Sequence, residues 1–84
     1  MVHILYFARL REALGKASED LALPESVIDL ASLREALVRR GGAWAQELAQ
    51  TRPVRAAVNQ HVASPETPVR DGDEVAFFPP VTGG

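Results

Sequence analysis

The residues whose types and order could do chemistry are the last eight, Phe77-Phe78-Pro79-Pro80-Val81-Thr82-Gly83-Gly84. The expected reacting group is the carboxylate of Gly84, which an unbranched backbone can carry into another protein's active site. Gly83 and Gly84 lack a Cβ, so they pass a channel too narrow for any other residue and take backbone angles closed to the rest. Pro79 and Pro80 favour a stiff, extended segment that holds the tip away from the domain. From Pro79 to Gly84 the reach is at most roughly 20 Å, at about 3.3–3.6 Å per residue. That suffices to enter a partner's pocket. Two glycines alone are weak evidence. Their context carries the reading: an acidic turn, Asp71-Gly72-Asp73, then strand-like Glu74-Val75-Ala76-Phe77-Phe78, then prolines that stop strand pairing.

Other chemistry is poorly supplied. Gly15-Lys16 would need a glycine at position 10 to make a phosphate loop, and that position is Leu10. Asp71 and Asp73 open like a calcium loop, but Val75 stands at the next ligand position, so they are expected to be turn residues. His3 and His61 define no local metal pair, and none of Ser18, Ser26, Ser32 and Ser64 lies in an activating motif. With no cysteine, the chain has no disulfide, thiolate metal site or thiol nucleophile. Any sulfur must come from elsewhere, and no independent enzyme is expected.

Composition narrows the partners. Eighty-four residues suggest one domain with a small core and no large internal cavity. Apolar residues are 46% and charged ones 24%, which suits a soluble globular fold. At net charge −2, with basic residues scattered among 11 acids, there is no basic stripe, so no nucleic acid is expected. The sequence has no run of 18 apolar residues and no basic-then-apolar leader, so no membrane contact and a cytoplasmic location are expected.

The elements that must position the tail follow from periodicity. Residues 2–8 are almost wholly apolar, which suggests a strand covered on both faces. Residues 9–14 form a short helical turn stopped by Gly15, and residues 18–23 return as a second strand, closing a hairpin. From Asp29, a plausible N-cap, Leu30, Leu33, Ala36 and Leu37 share one helical face, with Arg34, Glu35 and Arg39 outside it. Gly41-Gly42 is expected to end that helix. Residues 43–50 suggest a short helix with Trp44 and Leu48 inward; 54–58, 61–63 and 74–78 suggest strands, with Asn59-Gln60 as a turn. One main helix covers only one face of one mixed sheet, so the order predicts an α+β domain.

The uncovered face matters for function. If Val75 and Phe77 point at the helix, alternation sends Phe78 to the opposite side, with Leu5 and Phe7 opposite Ile4 and Tyr6. An apolar patch that includes Phe7 and Phe78, beside a projecting tail, would mark a protein-binding surface.

In Phe7-Ala8-Arg9-Leu10-Arg11-Glu12, in Ala57-Val58-Asn59-Gln60 and above all in the fourteen residues Asp71 to Gly84, the chain resembles the small subunit of molybdopterin synthase, the MoaD family. The resemblance covers nearly the whole length. It implies a ubiquitin-like β-grasp over residues 1–78, a mixed sheet packed on one main helix, and a flexible C-terminal tail over 79–84. It also implies a role as sulfur carrier: an ATP-dependent adenylating enzyme of the ubiquitin-activating type converts the Gly84 carboxylate to an acyl adenylate, and a sulfur-donating system leaves a thiocarboxylate. The tail then enters the large subunit and gives its sulfur to cyclic pyranopterin monophosphate in molybdenum cofactor biosynthesis.

By that resemblance Gly84 carries the reacting group and Gly83 gives clearance, with Thr82, Val81, Pro80 and Pro79 completing the tail. Phe7, Val62 and Phe78 form the docking patch, and Arg11 is a polar contact. The implied subunit is non-catalytic alone, binds no cofactor itself, leaves ATP to its activating partner and works in a hetero-oligomer. Departures from the family pattern fall at residues 25–29 and 52–55, and at Val62, where relatives also carry a larger aliphatic residue. Two other readings stay open: sulfur delivery to a thiazole or thiamine type of pathway, and a ubiquitin-like modifier or adaptor joined to lysines.

Overall fold

In a computed structural model, residues 1–80 are described. Strict alternation builds the first strand: β1 (Val2–Tyr6) buries Val2, Ile4 and Tyr6 completely or nearly so and leaves His3 exposed and Leu5 half-buried. The expectation of a strand covered on both faces is therefore corrected. Its odd positions have no helix over them. β1 also ends two residues short of the expected 2–8, because Ala8 takes φ 54, a left-handed value that costs a non-glycine residue about 1–3 kcal/mol. That bend turns the chain into α1 (Arg9–Leu14), and Gly15, at φ 75, closes it by donating its amide to the Arg11 carbonyl.

β2 (Ser18–Leu21) pairs antiparallel with β1, as the hairpin reading requires. α2 (Leu30–Val38) starts at Asp29, whose carboxylate accepts the Ser32 amide at 2.8 Å while the Ser32 hydroxyl accepts the Asp29 amide at 3.1 Å. Leu30, Leu33 and Leu37 are its buried stripe. It stops at Arg39, before the glycines. Gly41 and Gly42, at φ 79 and 55, instead turn the chain into α3 (Gly42–Leu48), which corrects their role from stopping one helix to opening the next.

β3 (Arg55–Val58) and β4 (His61–Val62) are joined through Asn59 and Gln60, both at positive φ as a two-residue type I′ hairpin demands. β5 (Glu74–Phe78) has the bounds expected for it and buries Val75 and Phe77. The sheet order is β2-β1-β5-β3-β4. β1 and β5 run parallel in the centre and every other pairing is antiparallel.

The core lies between this sheet and the helices. Val2, Ile4, Tyr6, Val75, Phe77, Ala56 and Val58 from the strands meet Leu10, Leu30, Leu33, Leu37 and Leu48 from the helices. Two details were not legible in periodicity. Trp44 is half-buried, edge-on to Tyr6 at 5.4 Å between centroids and capped by the Arg40 guanidinium at 4.4 Å. Arg34, expected outside the helix face, reaches across to the end of α3 and the segment after it, donating to the carbonyls of Leu48 and Ala49, both at 2.6 Å, and Arg52 at 3.0 Å. Half-burial of its guanidinium lowers the Arg34 pKa from the usual arginine value.

Candidate functional site

The face of the sheet turned away from the helices is organised by strand register into three rows. Ser18, Leu5, Ala76, Ala57 and Val62 are successive paired positions across all five strands, so their side chains share that face. Toward the C-terminal end of β5, Phe78 pairs with Arg55. Phe7 comes beside Phe78, since Tyr6 pairs with Phe77 and the Phe7 amide donates to the Phe77 carbonyl at 3.1 Å. At the other end Asp20, His3 and Glu74 form a polar row, and the Asp20 carboxylate meets His3 Nδ1 at 2.7 Å.

Apolar side chains therefore predominate in the middle of the face and at the end from which the tail leaves, with Ser18 and Arg55 at their edges. Val62 is 74% exposed and Phe7 46%, with Leu5, Ala76 and Phe78 half-buried around them. A contiguous apolar surface of this kind, with a polar row on one side, is what a protein partner covers. A second polar cluster lies past the acidic end of β5. Asn59 donates to the Asp73 carboxylate at 3.0 Å and the Arg70 amide donates to it at 2.8 Å, which holds Asp73 below the usual carboxylate range. As expected, Asp73 serves its turn.

At the foot of the tail the geometry changes from a face to a cleft. Pro79 and Pro80 are half-buried and share with Arg9, Leu10, Glu47 and Arg52 the lining of a cavity of about 280 Å³. Glu47 Oε1 lies 3.0 Å from the Arg9 guanidinium and 3.8 Å from that of Arg52. Among the described residues, no group of three or more His, Cys, Asp or Glu could hold a metal ion, and no helix is long and apolar enough to cross a membrane.

Comparison with known proteins decides the family, since the ThiS family model matches residues 4–84. The chain belongs to the ThiS family. Within reach of this ThiS-family chain, the Escherichia coli (strain K12) protein called molybdopterin synthase sulfur carrier subunit is 40% identical over 84 residues, covering 100% of both. A putative molybdopterin converting factor, subunit 1, from Pyrococcus furiosus superimposes with TM-score 0.78 at 33% identity, over 95% of this chain and 97% of the other. A chain in the complex of subunits 1 and 2 of molybdopterin-converting factor from Helicobacter pylori 26695 gives TM-score 0.67 at 25% identity, over 99% and 97%. The mixed five-stranded sheet with helices on one face is the ubiquitin-like β-grasp that the resemblance implied.

Of the residues singled out by sequence, the fold brings Phe7, Val62 and Phe78 onto one face and sets Pro79 and Pro80 against the cleft. Arg11 is exposed on α1 and belongs to none of the paired rows of the sheet. Val81, Thr82, Gly83 and Gly84 lie outside the described residues. Sequence reasoning missed Ala57 and Ala76, the small residues that join Leu5 to Val62 across the sheet. Strand alternation could have found both. It also missed Glu47, whose partners are remote in sequence and leave no local signal.

Proposed function

We propose that the chain is the sulfur-carrier subunit of a molybdopterin synthase, a cytoplasmic β-grasp domain over 1–78 that presents a tail over 79–84. The observation that carries the reading is the apolar face of Phe7, Val62 and Phe78 running to the start of a Pro-Pro-Val-Thr-Gly-Gly tail, in a chain 40% identical from end to end to a protein called molybdopterin synthase sulfur carrier subunit. The face docks on the large subunit, and the tail delivers Gly84 into that subunit's pocket. Arg11, exposed on α1, adds a polar contact with a partner.

The chemistry at Gly84 follows from what a carboxylate lacks. It is a poor electrophile, so an adenylating enzyme of the ubiquitin-activating type couples it to ATP. The carboxylate oxygen attacks the α-phosphate, pyrophosphate leaves, and the acyl carbon gains AMP as its leaving group. A sulfur nucleophile from a sulfur-donating system then displaces AMP and leaves the thiocarboxylate. That group is largely ionised near neutral pH, and ionised sulfur is the competent nucleophile toward cyclic pyranopterin monophosphate. Gly83 gives the clearance such a delivery needs. The chain binds no cofactor and contributes no catalytic side chain; the pocket and the ATP site belong to its partners.

The test is intact mass after co-expression with the adenylating enzyme and a sulfur source. The expected result is exchange of one oxygen for one sulfur, localised to Gly84 by fragmentation. An unchanged mass under conditions that load a control carrier would contradict the proposal.

A further inference from the structure

The cleft at the foot of the tail lies where α1, α3 and the segment after α3 meet the end of β5. One wall is Arg9 and Leu10 of α1, the other is Glu47 of α3 and Arg52 of the segment that follows, and Pro79 and Pro80 close it. The walls already meet through Leu10 and Leu48 in the core, and Glu47 adds a polar contact between them at the surface. Its side chain is only 13% exposed, and one oxygen serves two guanidiniums from two different elements. The segment holding Arg52 is already fixed from behind by the three carbonyl hydrogen bonds of Arg34. Glu47 is therefore not needed to fold that segment, and what it adds is the placement of the Arg9 side chain at the rim of the cleft.

Ion pairs with largely exposed arginines add little to stability, and the Arg9 side chain is 61% exposed. Their geometric effect need not be small. Pro79 and Pro80 are stiff, so a small change in the surface they lie against moves the two together. A displacement of about 1 Å at a reacting group costs on the order of 100-fold in rate.

Building on the sulfur-carrier reading, we propose that Glu47 is a positioning residue for sulfur transfer. By holding Arg9 beside Arg52 it fixes the polar rim of the cleft against which Pro79 and Pro80 lie, and with it the placement of those two prolines.

The test compares wild type, Glu47→Gln, Arg9→Met and the double variant, each loaded to the same thiocarboxylate fraction and assayed in complex with the large subunit. Glu47→Gln keeps size and removes charge. Its melting temperature and its affinity for the large subunit are expected to match wild type, while the single-turnover rate of sulfur transfer falls roughly 10-fold, less than the roughly 100-fold of a full misplacement of about 1 Å. Arg9→Met is expected to give the same defect, and the double variant no further loss, because both remove one link. Transfer by Glu47→Gln at the wild-type rate would overturn the proposal, as would a loss that tracks a drop in melting temperature or affinity. If wild-type carrier transfers no sulfur, the functional reading has failed and Glu47 falls with it; if only the variant comparison fails, the reading stands without it.

Discussion

Tyr6 and Phe77 occupy facing positions of the parallel β1–β5 pair, both essentially buried and stacked with ring centroids 6.2 Å apart. That register decides where their neighbours go. With Tyr6 and Phe77 toward the helices, Phe7 and Phe78 are carried together to the opposite face, at the end from which the tail departs. The same two strands thus build the core and the apolar face proposed to dock a partner.

Val62 tests that surface with least risk to the fold, being 74% exposed on the short β4. Val62→Asp is expected to leave thermal stability within about 0.5 kcal/mol, as surface substitutions do. Its affinity for the molybdopterin synthase large subunit should fall at least roughly 10-fold, since a charge would be desolvated in an apolar contact. Calorimetric titration reads the outcome, and undiminished binding would remove this face from the interface.

Arg34 makes a different prediction, about stability alone. Arg34→Met keeps the aliphatic stem and strips the carbonyls of Leu48, Ala49 and Arg52 of their donor. The expected loss is about 1–3 kcal/mol, the cost of leaving partly buried acceptors unpaired. Denaturant titration checks it, with the slope unchanged if the unfolded state is unaffected.

How far the sequence carried the fold is clearest at β5, α1 and Asp29. Each was legible because one local rule decides it: period-two alternation, a glycine C-cap and an N-cap carboxylate. Gly41-Gly42 misled because two glycines after an amphipathic run satisfy a helix stop and a helix start equally well, and only the packing of α3 chooses between them. Arg34 looked solvent-facing because helical periodicity gives the direction of a side chain and not its length. Phe7 and Phe78 were placed on one face by strand alternation and Val62 only through resemblance to relatives, and its meeting with them depends on pairings such as Ala57 with Val62, which no local pattern encodes. Glu47 was illegible for the same reason.

Acid sensitivity follows from Glu19. Its carboxylate receives both terminal nitrogens of Arg40 at 2.8 Å and the Tyr6 hydroxyl at 2.7 Å, and the Arg40 bonds chiefly hold it below the ordinary glutamate value of 4.5. Tyr6 is pushed well above the phenol range, first by burial and then by that hydrogen bond, so it stays neutral. A carboxylate whose folded pKa is depressed contributes stability that is present above its unfolded value and lost as pH falls through the folded one. Glu19→Gln should therefore flatten the fall in stability below about pH 4.5. Asp29 and Asp73, also held low by hydrogen bonds, keep part of that slope. An unaltered acid limb in pH-dependent melting would contradict the assignment.

The most direct test of the account follows the sulfur itself. Carrier loaded at Gly84 with isotopically labelled sulfur is mixed with the large subunit and cyclic pyranopterin monophosphate, and the pterin product is analysed by mass spectrometry. The account predicts label in the dithiolene and none when the Gly84 carboxylate is blocked as an amide. Unlabelled product from loaded carrier, or normal product from the amidated chain, would contradict it.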